Sequence, residues 1–237
     1  MTVAFTQLTV TFVKRTVTTM LKITPTLDGS NTLTDEIRQE TYHSVKGAVQ
    51  ESMHVFIQNG LKAMAPGKKT VAVFEMGFGT GLNALLSCVH KPSDMFLSYY
   101  SVEAFPVNVN LLKQLKYEGL SAEKELYAAI VEAPFGVWKN ISAQFLLRKE
   151  ETSFIQAALP ANLFDLIYYD AFGPKVQPEL WTLECMVKCY NMLLPGGMLV
   201  TYCAQGEFKR NLKQAGFTIE ELPGPPGKRE MTRAGKI

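Results

Sequence analysis

The sequence predicts a doubly wound α/β fold, in which helices cover both faces of a mostly parallel sheet. Two observations support this fold class. Short apolar segments alternate regularly with segments of helical periodicity from residue 70 onward. The first apolar segment, residues 70–76, ends in a glycine loop that leads directly into a helical pattern.

Length and composition suit one such domain with additional elements. The chain has 237 residues, of which 47% are hydrophobic and 19% charged, so a large core can be buried. The net charge of +2 neither requires nor excludes a nucleic-acid partner. No apolar run reaches the length of a membrane span. Four cysteines without a CxxC pair predict buried thiols in a reducing cytoplasm, and the scattered histidines predict no metal site.

Residues 1–69 are predicted to form an N-terminal extension packed on a core formed by residues 70–237. Apolar and polar residues alternate over residues 1–20, which is typical of a strand or an extension. An Asp-Gly-Ser-Asn turn between short apolar runs predicts a hairpin over residues 22–34. Apolar residues at helical spacing then predict a helix over residues 35–59.

The core is predicted to contain five parallel strands and a C-terminal antiparallel hairpin. The predicted strands are apolar and cover residues 70–76, 96–102, 143–148, 164–170 and 198–202. The predicted helices cover residues 81–90, 106–131, 152–158, 178–194 and 206–215. Two short segments around a Gly-Pro-Pro-Gly turn, residues 217–222 and 229–233, predict the hairpin at the sheet edge.

The glycine loop contains Gly77, Gly79 and Gly81, which let the backbone approach a bound nucleotide because no Cβ intervenes. A dinucleotide fingerprint has its third glycine one position later, where Leu82 stands. Glu75, just before the loop, would repel a pyrophosphate but would suit a cation. S-adenosylmethionine carries a sulfonium and an ammonium and no phosphate, so the pattern favours it as the cofactor.

Acidic residues follow the next two predicted strands, where the ligand of a doubly wound sheet lies. Glu103 ends the second strand, and we expect it to accept hydrogen bonds from the ribose hydroxyls of an adenosine. Glu150 and Glu151 follow the third strand. Either one can hold the adenine amino group or stabilise a helix N-terminus.

Asp170 ends the fourth strand, where a substrate-facing residue is expected. The alternative is a capping aspartate before a tight turn. Phe172 and Trp181 follow it, and they can either stack on a base or belong to the core.

Five segments carry a resemblance when they are taken together: residues 74–83 (FEMGFGTGLN), 101–106 (SVEAFP), 170–181 (DAFGP…PELW), 194–197 (LPGG) and 227–231 (GKREM). With the N-terminal segment 28–52, they resemble the MnmC/MnmD-type tRNA methyltransferases over about residues 22–233. This family makes 5-methylaminomethyl-(2-thio)uridine at the wobble position of tRNA. The glycine motif is common among methyltransferases, whereas the segments at 170–181 and 227–231 are more specific.

The resemblance implies a role for each matching residue. The methionine part of S-adenosylmethionine would be lined by Glu75, Gly77, Gly79, Gly81 and Asn83. Glu103 would hold the ribose, and Asp170 would face the aminomethyl group of the uridine. The sequence departs from the family in having Gly173 in place of a frequent alanine. It also lacks a Gly-Asp pair after the third strand, where Glu151 is the candidate adenine contact.

Bifunctional members of this family carry a C-terminal flavin oxidase domain. The present chain ends at Ile237. The resemblance therefore implies the methyltransferase alone, with a separate flavin-dependent enzyme in the same pathway.

Contacts with RNA phosphates are expected to be concentrated, because the net charge is small. Lys228 and Arg229 lie in the predicted edge hairpin, and the preceding helix can extend the basic patch with Lys209, Arg210 and Lys213. The alternative is a solvated helix face followed by a stiff turn.

Three other classes of protein were weighed against this interpretation. A small-molecule N-methyltransferase is compatible with the small net charge, which does not demand RNA. A nicotinamide-dependent oxidoreductase is disfavoured by Glu75 and by the position of Leu82. A non-catalytic α/β binding subunit is disfavoured by Asp170 and the intact glycine loop.

Overall fold

A computed structural model describes residues 20–117 and 119–237, and in it one large sheet lies beside a small one. The alternation over residues 1–20 falls outside this range except for Met20. The strands are β1 Leu21–Pro25, β2 Asn31–Asp35, β3 Glu40–Thr41, β4 Thr70–Met76, β5 Phe96–Glu103, β6 Trp138–Ser142, β7 Phe145–Glu151, β8 Phe164–Tyr169, β9 Leu193–Thr201, β10 Thr218–Pro223 and β11 Glu230–Gly235. The α-helical segments are Ala48–Ser52, Lys62–Met64, Leu82–His90, Val109–Leu112, Lys124–Glu132, Leu183–Met192 and Gly206–Gln214. A π-helical segment, Met53–Leu61, joins the first two of these, and short 3-10 turns cover Ser121–Glu123 and Pro178–Leu180.

The large sheet has the strand order β10-β11-β9-β8-β4-β5-β7-β6. Its central strands, from β9 to β7, run parallel, whereas β6, β10 and β11 pair antiparallel with their neighbours. β1, β2 and β3 form a separate antiparallel sheet. The predicted fold class is confirmed, including the antiparallel hairpin at the C-terminal edge and the N-terminal hairpin.

The central strands form because their residues are apolar on both faces. Every residue of β8 is buried. Tyr168 belongs to a core cluster on one face with Val73, and Tyr169 belongs to a cluster on the other face with Phe74. Such a strand is stable only where helices cover both faces of the sheet, which explains why two clusters flank it.

The site is positioned by a change of direction in the strand order. The chain passes from β4 to β5 and β7 on one side, and then returns to β8 on the other side of β4. This arrangement opens a crevice at the C-terminal ends of β4 and β8. Two backbone hydrogen bonds fix the start of each loop there: Gly77 N–H donates to Val102 O (3.0 Å), and Asp170 N–H donates to Met76 O (3.3 Å).

The predicted helix over residues 35–59 is wrong in its first half. Residues 31–41 instead form β2 and β3, and the helix begins at Ala48. Asp35 accounts for the turn between these strands, because its Oδ1 accepts the N–H groups of Ile37 and Arg38 at 3.0 Å each. The later part packs as expected, with the rings of Phe56 and Tyr168 5.1 Å apart. A domain boundary at residue 69 stays a prediction.

Three further elements differ from the predictions. Residues 152–158 form a turn in place of a helix. The predicted helix over residues 178–194 is divided, because the Thr182 side chain caps a new helix by accepting the Cys185 N–H. The strand β6 was not predicted, since its mostly exposed polar residues give no apolar signal.

None of the helices in the described residues has the length and apolar character to span a membrane. All four cysteines are free thiols. Cys185, Cys189 and Cys203 are buried, and Cys88 is half-buried.

Candidate active site

A cavity of about 620 Å³ opens at the C-terminal ends of β4, β5 and β8. The glycine loop and Asn83 line one part of it, and Glu103 with the segment 152–155 lines another. Asp170 and Phe172 lie opposite, on the loop after β8. Tyr42 and Glu51 of the N-terminal extension, Tyr202 after β9 and Lys228 of the C-terminal hairpin complete the wall.

The glycine loop requires glycine at each of its three positions, where φ is +87°, +52° and +76°. A Cβ on Gly77 would lie 2.8 Å from the carbonyl oxygen of Asp170, and one on Gly79 would lie 3.2 Å from Tyr42 Cδ1. A Cβ on Gly81 would lie 2.9 Å from Phe78 Cζ. Gly77 and Gly79 line the cavity. Gly81 does not contribute to its wall; it caps the helix Leu82–His90.

Asn83 joins the two carboxylates at the base of the cavity. Its Nδ2 donates to Glu75 Oε1 at 3.1 Å and to Asp170 Oδ2 at 2.8 Å. Glu75 is only 1% exposed and does not line the cavity, contrary to the expectation of direct contact with a cofactor. Burial and the neighbouring charge of Asp170 raise the pKa of Glu75 well above its usual value. Glu75 therefore acts behind Asn83, whose side chain it orients.

Asp170 faces the cavity from the end of β8. Burial raises its pKa to about 7, and the negative charge of Glu51 adds to this rise. The hydrogen bond from Asn83 and the positive charge of Lys228 act in the opposite direction. Asp170 can therefore exchange a proton near neutral pH, which is the property of a general acid or base.

Glu103 lies where a ribose contact is expected, at the end of β5. Its carboxylate accepts the Gly79 N–H at 2.9 Å and the Phe105 N–H at 2.8 Å. Burial raises the pKa of Glu103, whereas these hydrogen bonds lower it. The carboxylate is thus held against the glycine loop and lines the same cavity.

The residues present fit the methionine part of S-adenosylmethionine. Among the described residues that line the cavity, Asn83 has a buried acceptor, Oδ1, without a hydrogen-bond partner. A buried acceptor of this kind suits a ligand that brings a hydrogen-bond donor, such as the ammonium of the methionine part. Gly77 and Gly79 line the same cavity as Asn83, so the backbone of the glycine loop adjoins this acceptor.

Glu151 and Trp181, which are predicted contacts, also lie outside the cavity wall. Glu151 is exposed at the end of β7 and does not line the cavity, where Thr152 to Ile155 take its place. Trp181 is 4% exposed and belongs to the core, with its ring 4.9 Å from that of Phe208. Its Nε1 donates to Phe172 O at 2.9 Å, so it supports the loop that carries Phe172.

Phe172 itself lines the cavity, and its ring packs edge-on against Tyr42 with centroids 5.2 Å apart. Three residues of this wall were not singled out from the sequence: Tyr42, Glu51 and Tyr202. Tyr202 follows the C-terminal end of β9, so the sheet rule could have found it. Tyr42 and Glu51 lie in the N-terminal segment, where nothing in the local pattern indicates a place in the site.

The predicted basic patch is divided between the cavity and the surface. Lys228 Nζ lies 2.7 Å from Glu51 Oε2 and 3.7 Å from the centre of the Tyr202 ring. The side chain of Arg229 is 93% exposed. Lys209 does not extend the patch, because it is largely buried between Glu221 (2.9 Å) and Glu230 (3.2 Å). No group of three His, Cys, Asp or Glu residues within the described ranges is arranged to hold a metal ion.

The amino-acid sequence is similar to one protein family and to curated proteins from several bacteria. Residues 142–237 match the model of a family of S-adenosyl-L-methionine-dependent methyltransferases. The chain is 28% identical, over 91% of its length, to the tRNA 5-methylaminomethyl-2-thiouridine biosynthesis bifunctional protein MnmC of Ralstonia nicotianae, of which it covers 34%. It is 32% identical, over 82% of its length, to the protein of the same name from Paracidovorax citrulli, of which it covers 32%. The chain therefore spans about one third of the length of these curated relatives.

Two solved structures share the fold. The crystal structure of MNMC2 from Aquifex aeolicus superposes with a TM-score of 0.75 and 22% identity, covering 91% of this chain and 70% of that one. Spermidine synthase from Thermotoga maritima gives a TM-score of 0.56 and 14% identity, covering 88% and 69%. The family that residues 142–237 match is one of S-adenosyl-L-methionine-dependent methyltransferases, and the two solved structures show that the fold is shared. The sequence and structure matches together confirm the resemblance to the MnmC-type enzymes that the motifs of the chain indicate.

Proposed function

We propose that this protein methylates the amine of 5-aminomethyl-(2-thio)uridine at the wobble position of tRNA, giving the 5-methylaminomethyl nucleoside. One observation carries the proposal. Asp170 faces the cavity beside the glycine loop, is held by Asn83 at 2.8 Å, and has a pKa of about 7. It can therefore accept a proton from an amine close to the place where the cofactor would be bound. The names of the curated relatives, which refer to biosynthesis of this nucleoside, support the choice of amine.

Each wall of the cavity has a role in this reaction. When bound, S-adenosylmethionine supplies a methyl group activated by its sulfonium. Asn83 would hold the methionine end, with Glu75 fixing the orientation of its amide. Glu103 would hold the ribose hydroxyls, and residues of the segment 152–155 would surround the adenine. These roles follow from position and from the chemistry of the side chains.

On the substrate side, Asp170 would bind the aminomethyl group and remove the proton that blocks the nitrogen lone pair. A primary amine is mostly protonated at neutral pH and cannot attack in that form. The hydrogen bond from Asn83 fixes the orientation of the Asp170 carboxylate. Asp170 would therefore align the amine as well as remove its proton. Phe172, packed against Tyr42, would contact the uracil ring.

The tRNA partner implies two further assignments. We expect the exposed Arg229, in the turn of the C-terminal hairpin, to lie on the RNA-binding side, whereas Lys228 is directed into the cavity. A separate flavin-dependent enzyme would supply the aminomethyl group, and the enzyme would act in the cytoplasm.

The proposal is tested with the purified protein, S-adenosylmethionine and tRNA that carries 5-aminomethyl-2-thiouridine. Nucleoside mass spectrometry should detect 5-methylaminomethyl-2-thiouridine in this tRNA and no methylation of the same tRNA lacking the aminomethyl group. The free nucleoside serves as a matched control. A free nucleoside turned over as well as the tRNA would instead indicate a small-molecule N-methyltransferase. No methylation of either substrate, by protein shown by calorimetry to bind S-adenosylmethionine, would overturn the proposal.

A further inference from the structure

Two segments that are far apart in the sequence supply opposite charges to the substrate side of the cavity. Glu51 lies on the helix Ala48–Ser52, and Lys228 lies in the turn between β10 and β11. The Lys228 ammonium donates to Glu51 Oε2 at 2.7 Å, and the other oxygen, Oε1, accepts the Ser44 N–H at 3.0 Å. Both oxygens of the Glu51 carboxylate are therefore fixed, and Glu51 is only 8% exposed.

The same ammonium is linked to the loop that carries Asp170. Lys228 Nζ lies 3.7 Å from the centre of the Tyr202 ring, a cation–π contact that holds it in place. The Tyr202 hydroxyl donates to Ala171 O at 2.6 Å, one residue after Asp170. Asp170, Glu51, Tyr202 and Lys228 all line the one cavity.

We propose that the Glu51–Lys228 ion pair is a positioning pair that sets the charge state of the reacting site, with the Lys228 ammonium favouring an ionised Asp170 beside a neutral amine. This inference rests on the proposed methylation of an amine. The step requires one proton to leave the substrate nitrogen for the Asp170 carboxylate, so that the nitrogen lone pair can form the bond to the methyl carbon as the carbon–sulfur bond breaks. A fixed cation nearby stabilises the carboxylate before this transfer and disfavours an ammonium on the substrate.

Glu51 has the opposite effect and moderates that of Lys228. Its charge raises the pKa of Asp170, whereas the charge of Lys228 lowers it. Without Glu51 the cation would be uncompensated, and it would repel a substrate that arrives as an ammonium. The charged and titratable side chains that face Asp170 come from every element around it: Glu75, Tyr99, Tyr202, Glu51 and Lys228.

The test is the pH dependence of kcat/KM for aminomethyl-tRNA in charge variants of the pair. Lys228→Met should move the acid limb of the profile to higher pH by about one unit, because Asp170 then holds its proton more tightly. Glu51→Gln should move it to lower pH, since the amide keeps an acceptor for the Ser44 N–H but loses the charge. The double variant should return close to the wild-type profile, and Lys228→Arg should retain it.

A second ion pair of similar geometry provides the control. Lys209 and Glu221 are 2.9 Å apart on the C-terminal hairpin side, outside the cavity. Lys209→Met and Glu221→Gln should leave the pH profile unchanged. If Lys228→Met and Glu51→Gln both lower the rate without opposite shifts of the acid limb, the pair is merely structural and the inference is wrong. Lys228→Met could instead weaken tRNA binding and flatten its salt dependence while the pH profile of kcat/KM stays unshifted. That result would show that Lys228 contacts phosphate, and it would also overturn the inference.

A titration without substrate separates this inference from the proposed function. The carboxyl resonance of Asp170 can be followed by ¹³C NMR, with Asp170→Asn used for assignment. The inference predicts that its pKa rises in Lys228→Met and falls in Glu51→Gln. These shifts in a protein that does not methylate tRNA would overturn the proposed function alone. An active wild-type protein whose variants show no such shifts would overturn the inference alone.

Discussion

Asp170 is the residue on which the proposed chemistry depends most. Replacing it with asparagine keeps an oxygen for the hydrogen bond from Asn83 but removes the proton acceptor. We therefore expect Asp170→Asn to bind S-adenosylmethionine normally and to lose about 100-fold or more in turnover. Calorimetry and single-turnover methylation measure the two effects. Asp94→Asn is the matched control, because this exposed aspartate pairs with Lys69 before β5, away from the cavity.

The pH dependence of the wild-type reaction follows from the same residue. Because the pKa of Asp170 is about 7, the carboxylate takes up a proton as the pH falls through that value. The base is then lost, and kcat should fall about tenfold per pH unit below it. A rate that stays constant between pH 5.5 and 8 would show that Asp170 does not act as the proton acceptor.

Glu103 offers an independent test at the cofactor end of the cavity. Glu103→Gln removes the charge that would accept the ribose hydroxyls, so S-adenosylmethionine should bind about 10- to 150-fold more weakly. The exposed Glu184, at the start of the helix Leu183–Met192, is suited to a control substitution Glu184→Gln. Equal affinities of the two variants, measured by calorimetry, would remove Glu103 from the cofactor site.

The sequence predicts the residues at the strand ends because one topological rule places them there. Asn83, Glu103 and Asp170 all lie around the cavity, as expected from a doubly wound sheet. The rule does not say which way a side chain points after the strand has ended. This explains why Glu151 faces solvent and why Trp181 packs into the core.

The glycine loop is the element in which backbone conformation and site geometry are most closely linked. Alanine at Gly77 would have a positive φ and a Cβ 2.8 Å from the carbonyl oxygen of Asp170. Alanine at Gly136 would have a similar φ of +82° with open space around it. Both variants should lose about 1 kcal/mol of stability from backbone strain, but only Gly77→Ala should also lose most of its turnover. Equal activity of Gly77→Ala and Gly136→Ala would show that Asp170 can be displaced without loss of turnover.

A buried lysine supports the loop from behind. Lys149, on β7, is 1% exposed and donates to the carbonyl oxygens of Ile130 (3.2 Å) and Val131 (2.9 Å), near the C-terminus of the helix Lys124–Glu132. Its ammonium also lies 4.6 Å from the ring centre of Phe78, within the glycine loop. Lys149→Met should reduce the free energy of unfolding by about 1–3 kcal/mol, because these buried acceptors lose their donor.

The effect of Lys149 should depend on pH in a defined direction. Burial lowers the pKa of Lys149 from 10.5 to about 8. Between these values the unfolded chain binds the extra proton, so the wild-type protein gains stability relative to Lys149→Met as the pH rises. Urea unfolding at pH 7.5 and 9.5 measures the change, with the exposed Lys139→Met as control. A smaller difference in the free energy of unfolding between the wild type and Lys149→Met at pH 9.5 than at pH 7.5 would contradict a lowered pKa of Lys149.

Among the strands, those that are buried are the easiest to predict from the sequence. β8 and its neighbours are apolar on both faces and are recognised directly in the sequence. β6 is an exposed edge strand, and the pairing of β2 with β3 is fixed by a turn at Asp35. Neither leaves a periodic apolar pattern, so β6 cannot be predicted from the sequence and the helical spacing wrongly predicts a helix across β3.

In the molecule as a whole, the N-terminal extension and the C-terminal hairpin both contribute side chains to the cavity. The Lys46 side chain lies where a Cβ on Gly227 would be, and Lys228 pairs with Glu51 across 177 positions of sequence. A contact of this separation has no local pattern, so it could not be predicted from one sequence. The pairing explains why a basic residue expected on the surface is directed into the site.

The mouth of the cavity retains exposed cations that suit an RNA backbone. Lys175 lines the cavity and is exposed, and Arg229, which follows the cavity residue Lys228 in the C-terminal turn, is 93% exposed. Lys175→Ala with Arg229→Ala should weaken tRNA binding and flatten its salt dependence by about 0.7–0.9 log units per lost phosphate contact. Lys69→Ala, next to β4 at its N-terminal end, is the control. Filter binding at several salt concentrations that shows the same slope for both proteins would place the RNA elsewhere.

The proposed activity is methylation of the aminomethyl group of wobble uridine in this cavity. It is tested most directly by nucleoside mass spectrometry of tRNA from cells in which the gene has been deleted. We expect 5-methylaminomethyl nucleosides to disappear from this tRNA and the 5-aminomethyl precursor to accumulate. The wild-type gene should restore the original profile, and the Asp170→Asn variant should not. An unchanged nucleoside profile in cells that lack the gene would contradict the proposed function.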